Sequence, residues 1–201
     1  AGYFDPETGT MYVIEVEDDT GSFGFDERLT FAHEYAHAIQ HHSVDLNIYL
    51  DEDLSTDAIL ARRALIEGDA TWTSVIWASV YELDELGAYM AEVDSDGGDS
   101  TSLEEDSVYL YSSFLFPYAY GTEFVMELFG VADGDYSLFD NALQNPPVST
   151  EQILHPEKWL AGERPIEIRL PEPIDLLGES WSDVATSTFG EFEFNLWINV
   201  L

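Results

Sequence analysis

The segment TFAHEYAHAIQHH, from Thr30 to His42, contains four of the five histidines of this 201-residue chain. Apolar and small residues recur in it at intervals of three and four, which is the periodicity of a helix with one buried face. The pattern extends back to Asp26 and Glu27, whose negative charges suit a helix N-terminus. We therefore expect a helix of roughly 16 residues that begins near Asp26 or Glu27 and ends near Val44.

Two of these histidines, His33 and His37, lie four residues apart on one face of the expected helix. Their side chains differ by about 40° around the axis and about 6 Å along it, so both imidazoles can reach one metal ion. Glu34 lies about 100° round the helix, where it can contact a water on that ion but is turned away from binding the ion. This is the HExxH pattern of a metal site with a glutamate base. Because so short a pattern also occurs by chance, a third ligand is needed to support it.

A second helix is expected from Ser55 or Thr56 to beyond Leu83, and it carries the candidate third ligand. Catalytic zinc sites use three protein ligands and one open position. Glu67 lies in the middle of this helix, within the otherwise largely apolar segment ALIEGDATW. The next residue, Gly68, costs about 1 kcal/mol relative to alanine in a helix interior, and close approach to the first helix would explain it.

The environment of Glu67 allows two interpretations. A glutamate buried at a helix crossing must be paired or must bind a metal. The alternative to a metal is an ion pair with Arg63, four residues earlier on the same helix. Asp69 and Thr71 are weaker candidates, as acceptors of a hydrogen bond from an imidazole N–H.

The remaining segments indicate further elements. Alternation in GTMYVIEVED (Gly9–Asp18) predicts a strand half-buried against helices. The acidic segment Asp94–Asp106 predicts an exposed loop. The aromatic segment Ser107–Gly130 predicts a helix that is broken near Pro117 and stops at Gly130.

The last third of the chain is less regular. NALQNPPVSTEQILHPEKW (Asn141–Trp159) predicts a turn at its two prolines, a capping box at Ser149–Gln152 and a short helix before Pro156. An extended segment is expected at Ile166–Leu177. The chain stops on an apolar run at Leu201, which suggests that it is part of a longer protein.

The charge balance excludes several classes of partner. Asp and Glu number 41 against 6 Lys and Arg, so the formal net charge is −35. Nucleic acids and anionic membrane surfaces are bound by basic clusters that this chain lacks, so we expect neither as a partner. Strong acidity with a 45% hydrophobic composition is typical of a folded protein that functions at high salt concentration. No sequence feature indicates an oligomeric state.

Composition also limits domain number and location. A chain of 201 residues is most simply interpreted as one domain, residues 1–201. It contains no cysteine and therefore forms no disulfides. No run of residues approaches the length of a membrane span, and no signal segment is present in this chain. We expect an extracellular or cell-surface anchored protein whose signal lies outside this chain, with a cytoplasmic protein as the alternative.

TFAHEYAHAIQ followed by ALIEGDA resembles the gluzincin group of zincin metallopeptidases, the thermolysin-like set in which a glutamate from the next helix completes HExxH. The chain is similar, more closely, to uncharacterised secreted or lipid-anchored proteins of bacteria and archaea that carry a segment like STEQILHPEKW. The resemblance implies an α+β, zincin-like fold, mostly helical, with a small edge-strand sheet from MYVIEV over the active-site helix. The thermolysin group places its glutamate nearer to the second histidine than Glu67 lies to His37, so the subgroup stays open.

The resemblance also implies a function. Zn²⁺ would be held by His33, His37 and Glu67, and a peptide or protein would be the substrate. Glu34 would take a proton from water and return it to the leaving amine.

Two groups compete for the role of stabilising the oxyanion, as a histidine or tyrosine does in similar enzymes. One is His155, for which a structural role in its loop is the alternative. The other is Tyr120, with Tyr118 beside it in the same helix. Two further interpretations of the whole chain are a non-catalytic metal-binding or scaffold module with a zincin fold, and an acidic interaction domain whose HExxH is accidental.

Overall fold

The computed structural model describes residues 2–13, 23–49, 54–96, 105–166, 182 and 187–200. The fold is mostly helical, with a small two-stranded antiparallel sheet at the N-terminus that packs on the first long helix. The elements are β1 (Gly2–Asp5), β2 (Thr10–Val13), α1 (Phe25–Ser43), α2 (Leu46–Tyr49), α3 (Thr56–Tyr81), α4 (Leu83–Asp96), α5 (Glu105–Val131), α6 (Ser137–Gln144), α7 (Thr150–Leu154), α8 (Pro156–Leu160) and α9 (Glu191–Val200).

The sheet is a hairpin in which Tyr3 pairs with Tyr12 and their rings stack at 4.8 Å. Gly9 precedes β2 with φ +62°, a backbone conformation that glycine adopts without strain. The strand predicted from Gly9 to Asp18 is present over Thr10–Val13, and residues 14–18 lie outside the described part of the chain. It is more exposed than the half-buried strand that was predicted, since of these four residues Met11 alone is partly buried. The expected small sheet over the histidine helix is therefore present.

The histidine helix α1 lies where the sequence predicts it. It begins at Phe25 and ends at Ser43, with Asp26 and Glu27 in its first turn. The buried positions on it are Ala36 and Gln40. A buried glutamine on a helix that faces other helices requires polar partners, because an unpaired buried amide is costly.

The second helix is shorter than predicted. Ser55 caps α3 by accepting a hydrogen bond from the N–H of Ala58, as expected. The helix stops at Tyr81, so the prediction of one helix running past Leu83 is wrong. Glu82 leaves the helical conformation with φ −142°, and its carboxylate accepts two hydrogen bonds from Arg28 of α1 at 2.7 and 2.6 Å.

The aromatic helix α5 continues through Pro117, so the predicted break at this proline is wrong. Proline in a helix interior loses one backbone hydrogen bond, and here burial of the flanking residue Phe116 against the core offsets that loss. α5 packs most extensively against α3. At their crossing a Cβ on Gly68 would lie 2.1 Å from the carbonyl carbon of Gly121. Gly68 thus permits close approach to α5, and not to α1 as predicted.

The core lies between α3 and α5 and extends to the shorter helices. Its apolar residues come from several elements, so the short C-terminal helices are fixed to the long ones. The buried members on the two long helices and on α6, α7 and α9 are Ala61, Ala64, Leu65, Ile66, Phe116, Phe124, Val125, Leu128, Phe139, Ala142, Leu143, Ile153 and Phe192.

The start of α7 differs from the predicted capping box. Ser149 precedes the helix, but its side chain makes no capping hydrogen bond, and Gln152 instead accepts from the N–H of Val148 at 2.9 Å. The N–H of Thr150 donates to the buried carboxylate of Asp57 at 3.0 Å, which joins α7 to the first turn of α3. A tertiary contact has therefore replaced the local cap.

Two further predictions fall mainly outside the described residues. The acidic loop predicted at Asp94–Asp106 overlaps the end of α4 and the start of α5, and residues 97–104 lie outside the described part. The extended segment predicted at Ile166–Leu177 lies outside it from residue 167 onward. Within the described ranges, none of the helices combines the length and apolar character needed to cross a membrane.

Candidate metal centre

Three side chains from two helices converge at the centre of the α1–α3 contact. Nε2 of His33 lies 3.2 Å from Oε2 of Glu67, and Nε2 of His37 lies 3.4 Å from the same oxygen. The two Nε2 atoms are 3.2 Å apart. Two imidazole nitrogens and one carboxylate oxygen are the ligand set of a catalytic zinc site, and such a site keeps its fourth position open.

The buried side-chain amide of Gln40 determines which ring nitrogen of His37 carries the hydrogen. Gln40 is 2% exposed, and its Nε2 donates to the carbonyl of Ile66 at 3.0 Å and to Oδ2 of Asp69 at 2.7 Å. Because both partners only accept, the amide oxygen must face Nδ1 of His37, 2.8 Å away. Neutral His37 therefore carries its hydrogen on Nδ1, and the lone pair of Nε2 is directed at the other two ligand residues. That is the tautomer a metal ligand needs.

The buried carboxylate behind the site is Asp69. Burial raises its pKa to about 6, although the hydrogen bond from Gln40 opposes the shift. Asp69 was expected to accept from an imidazole directly, but Gln40 stands between the two. Thr71, the other expected acceptor, accepts a hydrogen bond from the hydroxyl of Ser74 through its carbonyl oxygen.

Gln40 is the site residue that the sequence interpretation missed. It follows His37 by three residues, so the spacing that places the two histidines on one face also places Gln40 there. The sequence signal that could have identified Gln40 is the position of a glutamine on the apolar face of a helix, where its amide needs a polar partner.

The protonation of the ligand residues reflects their mutual contacts. Burial acts to raise the pKa of Glu67, but hydrogen bonds from His33 and His37 outweigh it and lower the pKa to about 2. Burial likewise acts to lower the pKa of His37, and the hydrogen bond and charge of Glu67 outweigh that effect, so its pKa is raised. Without a metal, the lowered pKa keeps the Glu67 carboxylate ionised at neutral pH, and the raised pKa of His37 favours the protonated form of that ring.

Glu34 lies beside the ligands and is held by the sheet. Its Oε2 accepts a hydrogen bond from the backbone N–H of Phe4 in β1 at 2.8 Å. The negative charge of Glu34 also acts to raise the pKa of His37, which places it near the site without its being one of the three ligands. This hydrogen bond from β1 fixes the carboxylate of the residue that the sequence predicts to be the base.

Of the two tyrosines considered, Tyr118 is the one at the site. Its ring centroid lies 6.2 Å from that of His33. Burial and the charges of Glu67 and Glu34 raise the pKa of its phenol. Tyr120 lies two residues on, about 200° round the helix, and its ring packs against Phe192 of α9 at 6.3 Å.

His155 makes its contacts at the other end of the chain. It lies between α7 and α8, and its Nε2 lies 3.0 Å from Oε1 of Glu191, the first residue of α9. Glu157 lies 3.8 Å from its Nδ1. The structure brings together His33, His37, Glu67, Glu34 and Tyr118, whereas His155 and Tyr120 contact residues of α9.

The chain matches no protein-family model, no curated protein and no solved structure at a significant level. These comparisons assign no family, so the interpretation of the site depends on its geometry. What the side chains establish is a candidate metal-binding group formed by His33, His37 and Glu67.

Proposed function

We propose that this chain is a zinc-dependent peptidase whose ion is held by His33, His37 and Glu67. The observation that carries the proposal is their convergence, with the lone pair of His37 fixed toward the other two ligands by Gln40. Two imidazoles and one carboxylate suit Zn²⁺ better than the hard cations Ca²⁺ and Mg²⁺, which prefer oxygen ligands alone. A bound zinc ion supplies Lewis acidity that activates water and polarises a peptide carbonyl.

Glu34 is the general base in this proposal. One of its oxygens is engaged by the N–H of Phe4, which fixes the carboxylate and leaves its other oxygen to take a proton from the attacking water. The same carboxyl group then returns the proton to the leaving amine. A base held by a backbone hydrogen bond is pre-positioned, so little reorganisation is needed during the reaction.

Tyr118 is the candidate that stabilises the oxyanion. Its ring lies beside His33, and its raised pKa keeps the phenol protonated and able to donate a hydrogen bond. The sequence-based candidates for the role were His155 and Tyr120. His155 contacts Glu191 of α9 through Nε2, and the ring of Tyr120 packs against Phe192 of α9. The zincin-like fold, a peptide or protein substrate and an extracellular location belong to the same proposal.

The variant Glu34→Gln tests the proposal. Glutamine can still accept the hydrogen bond from Phe4, but it cannot accept a proton from water. We expect about one zinc per chain in both proteins by metal analysis, and a fall of roughly 10² to 10⁴ in hydrolysis of a denatured protein substrate.

Each other outcome favours a different interpretation. Equal hydrolysis by Glu34→Gln and the parent would show that Glu34 is not the base. Zinc binding without turnover in the parent would favour a non-catalytic metal-binding module. No zinc in the parent, even after incubation with the ion, would mean that the HExxH pattern is accidental.

A further inference from the structure

An exposed arginine lies one helical turn from the metal ligand Glu67. Arg63 precedes Glu67 by four residues on α3, so their side chains lie on one face, about 6 Å apart along the axis. The carboxylate of Glu67 is directed at the two histidines. The ion pair between Arg63 and Glu67, one of the two arrangements expected from sequence, is not among the ion pairs of the described residues.

Carboxylates far outnumber cations in this chain, with 41 acidic and 6 basic residues. Two cations are paired, Arg28 with Glu82 and Lys158 with Glu151, whereas Arg62 and Arg164 have no ion pair among the described residues. Over the part of the chain that the structure describes, no such carboxylate partner is found for Arg63. Arg63 is exposed, and because no carboxylate of the described residues pairs with its guanidinium, that group can bind a ligand.

Tyr118 on α5 is a further polar group near Glu67 and Arg63. The phenol of Tyr118 is affected by the charges of Glu67, Glu34 and Arg63 together, with Arg63 opposing the two carboxylates. The phenol also lies beside His33. The close crossing of α3 and α5 at Gly68 and Gly121 lies within one helical turn of Glu67 and of Tyr118. Arg63 is therefore a positive group on the rim of the candidate metal centre.

We propose that Arg63 binds a carboxylate of the peptide substrate next to the bond that is cleaved, an inference that rests on the proposed peptidase function. A guanidinium donates two parallel hydrogen bonds to a carboxylate, a geometry that a neutral carbonyl cannot match. A chain with a net charge of −35 and two glutamates in its site otherwise repels an anionic substrate. The carboxylate is either the C-terminal group of the peptide or an Asp or Glu side chain.

Matched peptides test this inference and distinguish the two sources. One pair has the same sequence with a C-terminal carboxylate or a C-terminal amide. The other pair is amidated and carries Asp or Asn beside the cleaved bond. We expect the anionic member of one pair to be preferred about three- to tenfold in kcat/KM, the range between an exposed ion pair and a bidentate one. Arg63→Ala removes this preference and Arg63→Lys retains part of it.

Binding provides a second measurement that does not require turnover. The same peptides are titrated into the zinc-loaded Glu34→Gln protein, with and without Arg63→Ala, and Kd is measured by fluorescence anisotropy. The control is Arg164→Ala, which removes an exposed arginine beyond α8 and leaves the preference unchanged. Zinc content and the melting temperature confirm that each variant is folded.

The outcomes separate the two proposals. Turnover without any preference for a carboxylate, or with a preference that survives Arg63→Ala, overturns the role of Arg63 and leaves the peptidase proposal standing. A preference in Kd that depends on Arg63, without turnover by the parent, supports the binding role and contradicts the peptidase. Failure of every peptide to bind overturns both.

Discussion

Gln40 shows how one neutral side chain sets the chemistry of its neighbours. Its amide accepts from Nδ1 of His37 and donates to Asp69 and to the carbonyl of Ile66. Reversing the amide would place its NH₂ group against Nδ1–H and its oxygen against two acceptors. The ring orientation of His37 is therefore fixed before any metal arrives, which lowers the entropic cost of binding.

Replacing Gln40 by leucine tests this function. Gln40→Leu keeps the volume of the side chain but leaves Nδ1–H of His37 and the buried carboxylate of Asp69 without their partner. We expect zinc affinity to fall about 10- to 100-fold, the usual cost of losing such a contact behind a ligand. The matched control is Gln144→Leu, an exposed glutamine at the end of α6. Equal affinities of the two variants, measured by chelator competition, would show that Gln40 does not position His37.

The pH dependence of zinc binding is a second prediction at this scale. Burial acts to lower the pKa of His37, but Glu67 outweighs it and raises the pKa above 6.5, so zinc competes with a proton for this ring as the pH falls through that pKa. Zinc affinity should therefore rise from about pH 5.5 to about pH 7.5, with one or more protons released per ion. Calorimetry in two buffers of different ionisation enthalpy counts these protons. A flat profile would mean that His37 is already neutral in the metal-free protein.

The same contacts stabilise the metal-free protein within a limited pH window. The raised pKa of His37 contributes stability that is present below its ordinary value of 6.5 and lost as the pH rises through the folded value. The lowered pKa of Glu67 contributes stability that is present above 4.5 and lost as the pH falls toward about 2. The ligand cluster thus favours the metal-free fold most between these ordinary values of 4.5 and 6.5, and competition between zinc and protons increases as the pH falls through this range.

At the scale of elements, the crossing of α3 and α5 determines where the site groups lie. A Cβ on Gly68 would lie 2.1 Å from the carbonyl carbon of Gly121, and one on Gly121 would lie 2.0 Å from the carbonyl oxygen of Ala64. These neighbours are backbone atoms, so the helices must separate to admit a methyl group. Separation moves Glu67 and Tyr118 apart, because each lies within one turn of a crossing glycine.

Gly68→Ala and Gly121→Ala should each destabilise the fold by about 3 kcal/mol, the upper end of the cost of overpacking, and should weaken zinc binding as well. The control is Gly87→Ala. Gly87 lies in the interior of α4, and a Cβ there meets nothing within 4 Å. That change should stabilise the protein by about 0.5 to 1 kcal/mol through helix propensity. Denaturant unfolding measures the free energy of unfolding of all three variants. An unchanged free energy in Gly68→Ala would contradict the close approach of α3 and α5.

Sequence patterns correctly predicted the parts of helices that depend on residues close together in the chain. The limits of α1 follow from its apolar spacing and acidic first turn, and the Ser55 cap of α3 follows from its hydroxyl. The end of the helix before Glu82 could not be predicted, because it accompanies a hydrogen bond between the side chains of Glu82 and Arg28, which are 54 residues apart in sequence. The continuity of α5 through Pro117 likewise accompanies a tertiary contact, the packing of the buried Phe116 against Phe192 of α9.

The candidate site shows the same division between local and distant determinants. Spacing alone placed His33, His37 and Glu34, since all three lie on one helix. Glu67 required the inference that a glutamate in an apolar helix needs a partner, and the structure supplies that partner. Which of Tyr118 and Tyr120 lies beside His33 depends on the tertiary packing of α5, which no single-helix pattern contains.

At the scale of the whole molecule, charge and packing act in opposite directions. The apolar core between α3 and α5 stabilises the compact state, while 41 acidic side chains at neutral pH repel one another across its surface. Few cations are available to offset this repulsion within the chain, because Lys and Arg number 6. Dissolved cations must therefore supply the screening, which makes stability a property of the solution as well as of the sequence.

The last prediction follows from this balance. Raising NaCl from about 0.1 M to about 1 M shortens the screening length from about 10 Å to about 3 Å, so repulsion between neighbouring carboxylates falls. We expect the melting temperature of the metal-free protein at neutral pH to rise by at least about 5 °C, equivalent to roughly 1 to 2 kcal/mol for a chain of this size. The control is the same titration near the isoelectric point of 4.1, where net charge and repulsion are small. An equal gain at both pH values would assign the effect to general salting-out, and no gain at neutral pH would contradict the interpretation of the acidic surface as an adaptation to salt.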